Sequence, residues 1–274
     1  VAARAKARTS VGSRVTGFTP ERWQLEGMRA APTDASRRAV PPPVAIGGVG
    51  GSGTRVGAAF LQICGYDIGA DLNESLDNLW FTLLFKRRSV LMESAEEFRA
   101  LAALFFATMS GGTIEPAERS EALRRLTECG RLQHERDWLA ARANSFADAS
   151  NSGIQNGPWG WKEPNTHIVI ERLFEVRSDL RYIHFVRHPL DMALSENKNQ
   201  LQIWGPILLD RDVTLNAQDA LAYWCAAHRR ISAVLSRWPE RSLVVDFDAL
   251  CDAPDNYAAR IGAFLGVGVS TSVS

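Results

Sequence analysis

The glycine-rich stretch Gly47-Gly48-Val49-Gly50-Gly51-Ser52-Gly53-Thr54-Arg55 determines how the rest of the chain is interpreted. The apolar run VAIGG at 44–48 leads into it and has the length of a buried strand. In TRVGAAFLQIC, at 54–64, apolar residues recur at helical spacing, and Gly65 marks the end of the helix. The sequence therefore predicts a strand, a tight loop and a helix in direct succession.

A loop of this composition is suited to binding an anion. Glycines allow a tight turn that directs several main-chain N–H groups inward, and the start of the following helix adds a partial positive charge. Ser52, Thr54 and Arg55 add hydroxyl and guanidinium donors. We expect Gly50, Gly51, Ser52, Gly53, Thr54 and Arg55 to bind phosphate or sulfate oxygens.

The loop differs from the nucleoside-triphosphatase motif GxxxxGK[ST] at the positions that handle a triphosphate and its metal. Gly48 and Gly53 have the spacing of that motif, but Thr54 stands at the lysine position and Arg55 at the hydroxyl position. The loop therefore predicts an anionic ligand, such as the donor substrate of a group transfer, that is bound without a metal ion. Two alternatives stay open: a nucleotide or small-molecule kinase, and a nucleotide-binding module without catalysis.

Three further stretches have strand patterns, and each is followed by a helical pattern: PWGWKEP (158–164), RYIHFVR (181–187) and SLVVDF (242–247). This alternation predicts an α/β fold with a central parallel sheet flanked by helices. Residues 75–155 show helical patterns only and are predicted to form a helical insert or lid within one domain spanning 44–274. Ser94 and Glu97 form a capping box within it.

The charge distribution argues against nucleic acid as a partner. Lysine plus arginine and aspartate plus glutamate both number 31, so the formal net charge is zero. No apolar run reaches the length of a membrane span.

Residues 1–43 are richer in basic than acidic side chains and predict a flexible, solvated leader. The four cysteines, Cys64, Cys129, Cys225 and Cys251, are widely spaced, which favours reduced thiols and a cytoplasmic location.

The loop, with its preceding strand and central SGT, resembles the 5′-phosphosulfate-binding loop of sulfotransferases that use 3′-phosphoadenosine 5′-phosphosulfate (PAPS). YIHFVRHPLDMALS at 182–195 resembles the family's 3′-phosphate motif, which implies that Arg187 and Ser195, inside the following helix, hold that phosphate. The resemblance also implies a P-loop NTPase-like sulfotransferase fold and adenosine 3′,5′-bisphosphate (PAP) as the second product.

Two other segments extend the resemblance. Trp161-Lys162-Glu163-Pro164 is similar to the Lys-Asp-Pro of the tyrosylprotein sulfotransferases, which implies that Lys162 faces the transferred sulfonate. A surface pair between Lys162 and Glu163 is the alternative interpretation. LVVDFDALCDAP, from 243, resembles the family's adenine-side strand and implies that Phe247 stacks on the base.

The general base is the least determined residue. Several branches keep a glutamate just beyond the first helix, and here Glu74 and then Asp77 fill that place. His167 competes because cytosolic relatives use a histidine after a strand-end lysine, but it is predicted to lie inside the next helix. Many relatives also carry a cation at the position of Gly51, so the non-catalytic alternative draws its support from this residue. A sugar, lipid, phenol or peptide acceptor is compatible with the sequence.

Overall fold

The computed structural model describes residues 28–30, 41–112, 114–128, 130–150 and 157–271. Its central sheet has four parallel strands in the order β3 (Gly160–Lys162), β2 (Val44–Gly48), β4 (Arg181–Val186) and β5 (Ser242–Asp246). Val44 pairs with Gly160 on one side and with Arg181 on the other. All five residues of β2 are buried, as a central parallel strand requires. The predicted α/β fold is confirmed.

Eleven helices connect the strands of the described part of the chain, because parallel strands need crossover connections. Short 3₁₀ turns at Arg88–Leu91 and Pro239–Arg241 supplement them. The helices are α1 (Thr54–Ile63), α2 (Leu79–Phe85), α3 (Ala95–Ser110), α4 (Pro116–Thr127), α5 (Arg136–Ala149), α6 (Thr166–Val176), α7 (Pro189–Leu194), α8 (Asn199–Leu208), α9 (Ala217–Leu235), α10 (Phe247–Asp252) and α11 (Pro254–Leu265).

Alternate strand residues divide the core between the two faces of the sheet. Ala45 and Tyr182 belong to a cluster with α2, α3, α5, α6 and α9, whereas Ile46 and Ile183 belong to one with α1 and α11. Aromatic rings join α2 and α3 to the sheet. The ring centroid of Trp161 lies 5.7 Å from that of Phe81 and 5.1 Å from that of Phe105, so β3 is anchored beneath α2 and α3.

Side-chain caps begin some of the helices, and others begin without one. The predicted capping box of Ser94 and Glu97 is confirmed. Asn216 caps α9, since its side chain accepts from the N–H of Asp219. Asn165 precedes α6, but its side chain makes no cap hydrogen bond. Its amide group instead donates to Glu163 and accepts from the indole of Trp204.

The segment predicted as a leader is described only in part. Met28–Ala30 form β1, which pairs antiparallel with β6 (Val269–Thr271). Residues 1–27 and 31–40 lie outside the described residues. In the part of the chain that the structure covers, no helix is both long and apolar enough to cross a membrane.

Candidate active site

The glycine loop runs from the end of β2 at Gly48 to the start of α1 at Thr54. Gly51 and Gly53 have φ angles of 94° and 87°, in the left-handed region that side chains other than glycine rarely adopt. A Cβ atom on Gly53 would lie 2.0 Å from a ring carbon of Phe247. The loop therefore depends on glycine both for its turn and for the close approach of this ring.

Several donors of the loop are left without a protein partner. Among the described residues, the N–H groups of Gly50, Gly51 and Gly53 donate to no main-chain carbonyl. The hydroxyl of Ser52 is buried and also has no hydrogen-bond partner in this part of the chain. Because buried polar groups are normally paired, the loop retains capacity to bind an anion.

A buried amide holds the first carbonyl of the loop. The side chain of Gln200, from α8, donates to the carbonyl oxygen of Gly48 over 3.1 Å. Its oxygen accepts from the Tyr223 hydroxyl at 3.0 Å and lies 3.2 Å from Nε2 of His167. These contacts fix the Gly48 carbonyl to the interior of the protein.

Arg187 brings a guanidinium group to the loop from the end of β4. One of its nitrogen atoms donates to the carbonyl of Gly51 at 3.4 Å, and another lies 3.3 Å from a carboxylate oxygen of Asp191. Its guanidinium carbon is 5.6 Å from the ring centroid of Phe247. The buried Nε atom of Arg187 has no partner among the described residues. The positive charge beside Gly51 thus comes from the residue that follows β4 and not from the glycine loop itself.

Ser195 and Phe247 lie at helix ends. Ser195 was expected inside the helix that Pro189 starts, but α7 ends at Leu194 and Ser195 is its C-cap with extended backbone angles. The expectation is wrong because the helix has only six residues. The Ser195 hydroxyl accepts from the N–H of Asn197 at 3.2 Å. Phe247 begins α10, and its side chain is buried with 8% exposure beside Gly53.

Lys162 is buried at the end of β3, where it contacts the segment that precedes α2. Its ammonium group lies 2.5 Å from an oxygen of Asp77 and donates to the Ser75 carbonyl at 2.9 Å. The N–H of Asn78 donates to the Lys162 carbonyl at 2.8 Å, which fixes this segment to the strand. The Ser75 hydroxyl accepts from Arg55 of the loop helix at 2.8 Å. Lys162, Asp77 and the loop helix are therefore connected.

The interpretation of Lys162 and Glu163 as a surface pair is wrong. Lys162 and Glu163 are 2% and 1% exposed, and the nearest cation to Glu163 is Lys86 at 3.9 Å. The Glu163 carboxylate accepts from the N–H and the amide of Asn165. Burial, opposed by Lys86, raises the pKa of Glu163. Glu163 thus orders the turn after β3, and Asp77 pairs with Lys162.

The other candidate bases lie in different surroundings. Glu74 is exposed in a turn, three positions before Asp77. His167 lies in α6 as expected, where burial lowers its pKa to about 3 despite the hydrogen bond to Gln200. With 1% exposure, His167 faces the buried contacts of Gln200. The described residues contain no group of three or more His, Cys, Asp and Glu side chains able to hold a metal ion.

The comparison with known families decides the assignment. The model of the sulfotransferase family matches residues 43–271, which is most of the chain. The chain belongs to the sulfotransferase family. This membership supports an enzyme of the sulfotransfer class. No curated protein matches the chain at a significant level.

Three solved sulfotransferase structures are similar to this chain at low identity, each with a TM-score below 0.5. A sulfotransferase from Mycobacterium tuberculosis H37Rv is 15% identical, with 85% of this chain and 69% of that chain covered and a TM-score of 0.43. The sulfotransferase domain of the curacin biosynthetic pathway is 16% identical, with coverage of 84% and 76% and a TM-score of 0.44. An Alicyclobacillus acidocaldarius sulfotransferase is 15% identical, with coverage of 86% and 87% and a TM-score of 0.44.

Sequence reasoning missed Gln200 and the pairing of Lys162 with Asp77. Gln200 is 152 positions from Gly48, and no local pattern links the two residues. Asp77 lies 85 positions from Lys162, although the sequence did place it second among the candidate bases. Such contacts arise from the packing of α8 and the pre-α2 segment on the sheet.

Proposed function

We propose that this sulfotransferase moves a sulfonate group from PAPS to a hydroxyl or amine of its acceptor, and releases PAP. The strongest support for PAPS as the sulfonate donor is a set of N–H and O–H groups at the glycine loop that have no hydrogen-bond partner among the described residues. They include the buried Ser52 hydroxyl and Nε of Arg187. Anionic oxygens satisfy such donors. The residues present fit the phosphosulfate end of PAPS.

Gly50, Gly51, Ser52, Gly53, Thr54 and Arg55 would hold the 5′ end of the donor. Arg187 and Ser195 would hold the 3′-phosphate, and Phe247 would border the adenine. Arg187 lies beside the loop. Its contacts with the Gly51 carbonyl and the exposed Asp191 leave further N–H groups of the guanidinium for a ligand. An arginine can bind a phosphate through two N–H groups at once.

Lys162 would stabilise charge on the sulfonate and on the bridging oxygen as the sulfur–oxygen bond breaks. A positive charge fixed in a buried site needs little reorganisation during the reaction. Its pairing with Asp77 and with the Ser75 carbonyl fixes the ammonium group at the end of β3. As the acceptor oxygen or nitrogen bonds to sulfur, the electrons of the breaking sulfur–oxygen bond pass to the 5′-phosphate oxygen of the departing PAP.

A carboxylate beyond α1 would take the proton that the acceptor releases. Glu74 is the first candidate because it is exposed beside this segment, and Asp77 is the second. Asp77 has the additional task of positioning Lys162. His167 is 1% exposed, and its ring contacts Gln200, the residue that holds the Gly48 carbonyl, which disfavours it as the base.

Transfer of labelled sulfonate from PAPS to a panel of sugar, lipid, phenol and peptide acceptors tests the function. We expect at least one product, formed in the presence of excess metal chelator. Preferential binding of Mg-ATP would instead favour the kinase alternative. Binding of PAP together with no transfer to any acceptor would favour the non-catalytic module.

A further inference from the structure

A large cavity lies between α3 and α4, and Arg87, Ser89 and Glu93 also line it. Its volume is about 980 Å³, which is in the range of small-molecule sites. The middle of the cavity is apolar and is lined by Ala100, Leu101, Ala103, Leu104, Ala107, Ile114, Ala122 and Leu126. An apolar chain would find continuous contact along the two helices.

The charged groups that line the cavity are distributed unevenly. Glu115 and Glu118 are exposed at the beginning of α4, where the helix dipole favours carboxylates. Exposed Glu121 also lines the cavity and is paired at 2.7 Å with Arg124, which does not line it. The remaining charges lie at the opposite end, where α3 begins and α4 ends. They are Arg87, Arg125, Arg131, Glu93 and Glu97.

At that end, two of the three arginines already have carboxylate partners. Arg87 lies 2.7 Å from Glu93, and Arg125 lies 3.8 Å from Glu97. Among the described residues, the side chain of Arg131 donates only to carbonyl oxygens, those of Thr82 at 3.3 Å and Leu126 at 3.2 Å. No carboxylate of the described residues pairs with it.

Arg131 is thus a half-buried cation in contact with uncharged acceptors. Burial and the nearby Arg87 lower the pKa of Arg131 to about 9. Two of its five N–H donors are used by the carbonyls, which leaves others for a ligand. A bound anion would compensate this charge better than the protein does alone.

We propose that the cavity binds an amphipathic anion, with its head at Arg131 and its apolar chain between α3 and α4. The head is a carboxylate or a sulfate-like group, since both accept paired N–H donors from a guanidinium. The site is separate from the glycine loop and does not depend on the donor that the loop binds. Two independent features support it, namely the apolar lining and the cation without a carboxylate partner.

Titration calorimetry on the full chain tests this site with four probes of equal chain length below their micelle-forming concentrations. The probes are decanoate, decyl sulfate, decanol and decyltrimethylammonium. We expect the better of the two anions to bind at least about tenfold more tightly than decanol, since a charged hydrogen bond is worth about that factor. Which anion binds better identifies the head group. Equal binding of all four probes, or preference for the cation, would overturn the proposal.

Two variants place the ligand within the cavity. Arg131→Gln should weaken the preferred anion about tenfold and leave decanol unchanged, whereas Arg99→Gln, on the exposed side of α3, should affect neither. Ala103→Trp fills the apolar middle without removing a side-chain hydrogen bond, and should weaken all probes. Its control is Ala117→Trp, on the exposed surface of α4.

The second pair keeps the test decisive if Arg131→Gln does not fold. Unchanged binding in Ala103→Trp, or equal loss in Arg131→Gln and Arg99→Gln, contradicts the assignment. PAPS is absent from these titrations, so their outcome is distinguishable from failure of the proposed sulfotransfer.

Discussion

The ammonium group of Lys162 lies 2.5 Å from a carboxylate oxygen of Asp77, which comes from a segment 85 positions earlier in the chain. Their side chains are 3% and 20% exposed, so the pair is largely shielded from water. The proposed chemistry depends on this arrangement, because it fixes a positive charge at the end of β3 beside the loop helix.

Replacing Lys162 should remove transfer while PAP remains bound. We expect Lys162→Ala to lower kcat roughly 100-fold or more, as loss of one preorganised donor does. Lys86→Ala is the matched control, since Lys86 lies near the neighbouring Glu163 but outside the proposed machinery. Steady-state transfer and PAP titration measure the two effects. Full activity of Lys162→Ala would remove the lysine from the mechanism.

Asp77→Asn should lower both stability and transfer. Removing one partner of a buried pair leaves an uncompensated charge, and with Asp77 partly exposed we expect a loss of about 2 kcal/mol. Glu74→Gln should leave stability unchanged and still lower kcat if Glu74 is the base. Urea unfolding and transfer assays separate these roles. If Glu74→Gln keeps full activity and Asp77→Asn has none, Asp77 becomes the first candidate base.

Gly53→Ala should abolish donor binding. The substitution introduces strain at a φ of 87° and places a methyl group 2.0 Å from the Phe247 ring. Gly65→Ala is the control, since its φ is 80° but, beyond its chain neighbours, no atom of the described residues lies within 4 Å of the added Cβ. Because both variants strain the backbone at a positive φ, the difference in their PAP affinity measures the effect of changing the glycine loop itself. Equal behaviour of both variants would contradict this role of the loop.

Arg187→Ala should weaken PAP binding by roughly 10- to 100-fold, the effect of losing a charged hydrogen-bond donor. Asp191→Asn should strengthen it, because the carboxylate competes for the same guanidinium at 3.3 Å. Asp179→Asn, which breaks a comparable exposed pair with Arg177, should change nothing. Calorimetry in the same buffer compares the three. Weaker binding in Asp191→Asn would show that Asp191 orients Arg187 and does not compete.

Stability should decrease as the pH falls below about 6.5. Burial lowers the pKa of His167 to about 3 and that of His184 well below its usual value. Below about pH 6.5 these histidines bind protons in the unfolded chain but stay neutral in the folded protein. The free energy of unfolding therefore decreases by up to about 1.4 kcal/mol for each histidine and each pH unit of acidification. Urea unfolding at about pH 7.5 and about pH 5 should show a smaller decrease in His167→Gln than in the wild type. His188→Gln, at an exposed position, should retain the wild-type decrease.

The strands and the glycine loop were predictable because their signals are local. VAIGG is apolar at every position and forms the fully buried β2, and the glycines between it and Thr54 mark the loop. The end of α7 was not predictable in the same way. Nothing in PLDMALS indicates that the helix stops at Leu194, which leaves Ser195 with extended backbone angles.

The contacts that complete the candidate site depend on tertiary packing. Gln200 reaches the Gly48 carbonyl only because α8 packs beneath the loop, and Arg187 reaches Gly51 only because β4 lies beside β2. The sequence indicated Lys162 and Asp77 separately, and only the folded chain pairs them. Residue types were therefore more predictable than their partners.

A crystal structure with bound PAP would show whether the glycine loop and Arg187 hold the two ends of one nucleotide. We expect the 5′-phosphate against the main-chain N–H groups of Gly50 to Thr54 and the 3′-phosphate on Arg187 and Ser195. A nucleotide bound elsewhere, or one whose 3′-phosphate contacts neither side chain, would contradict this expectation.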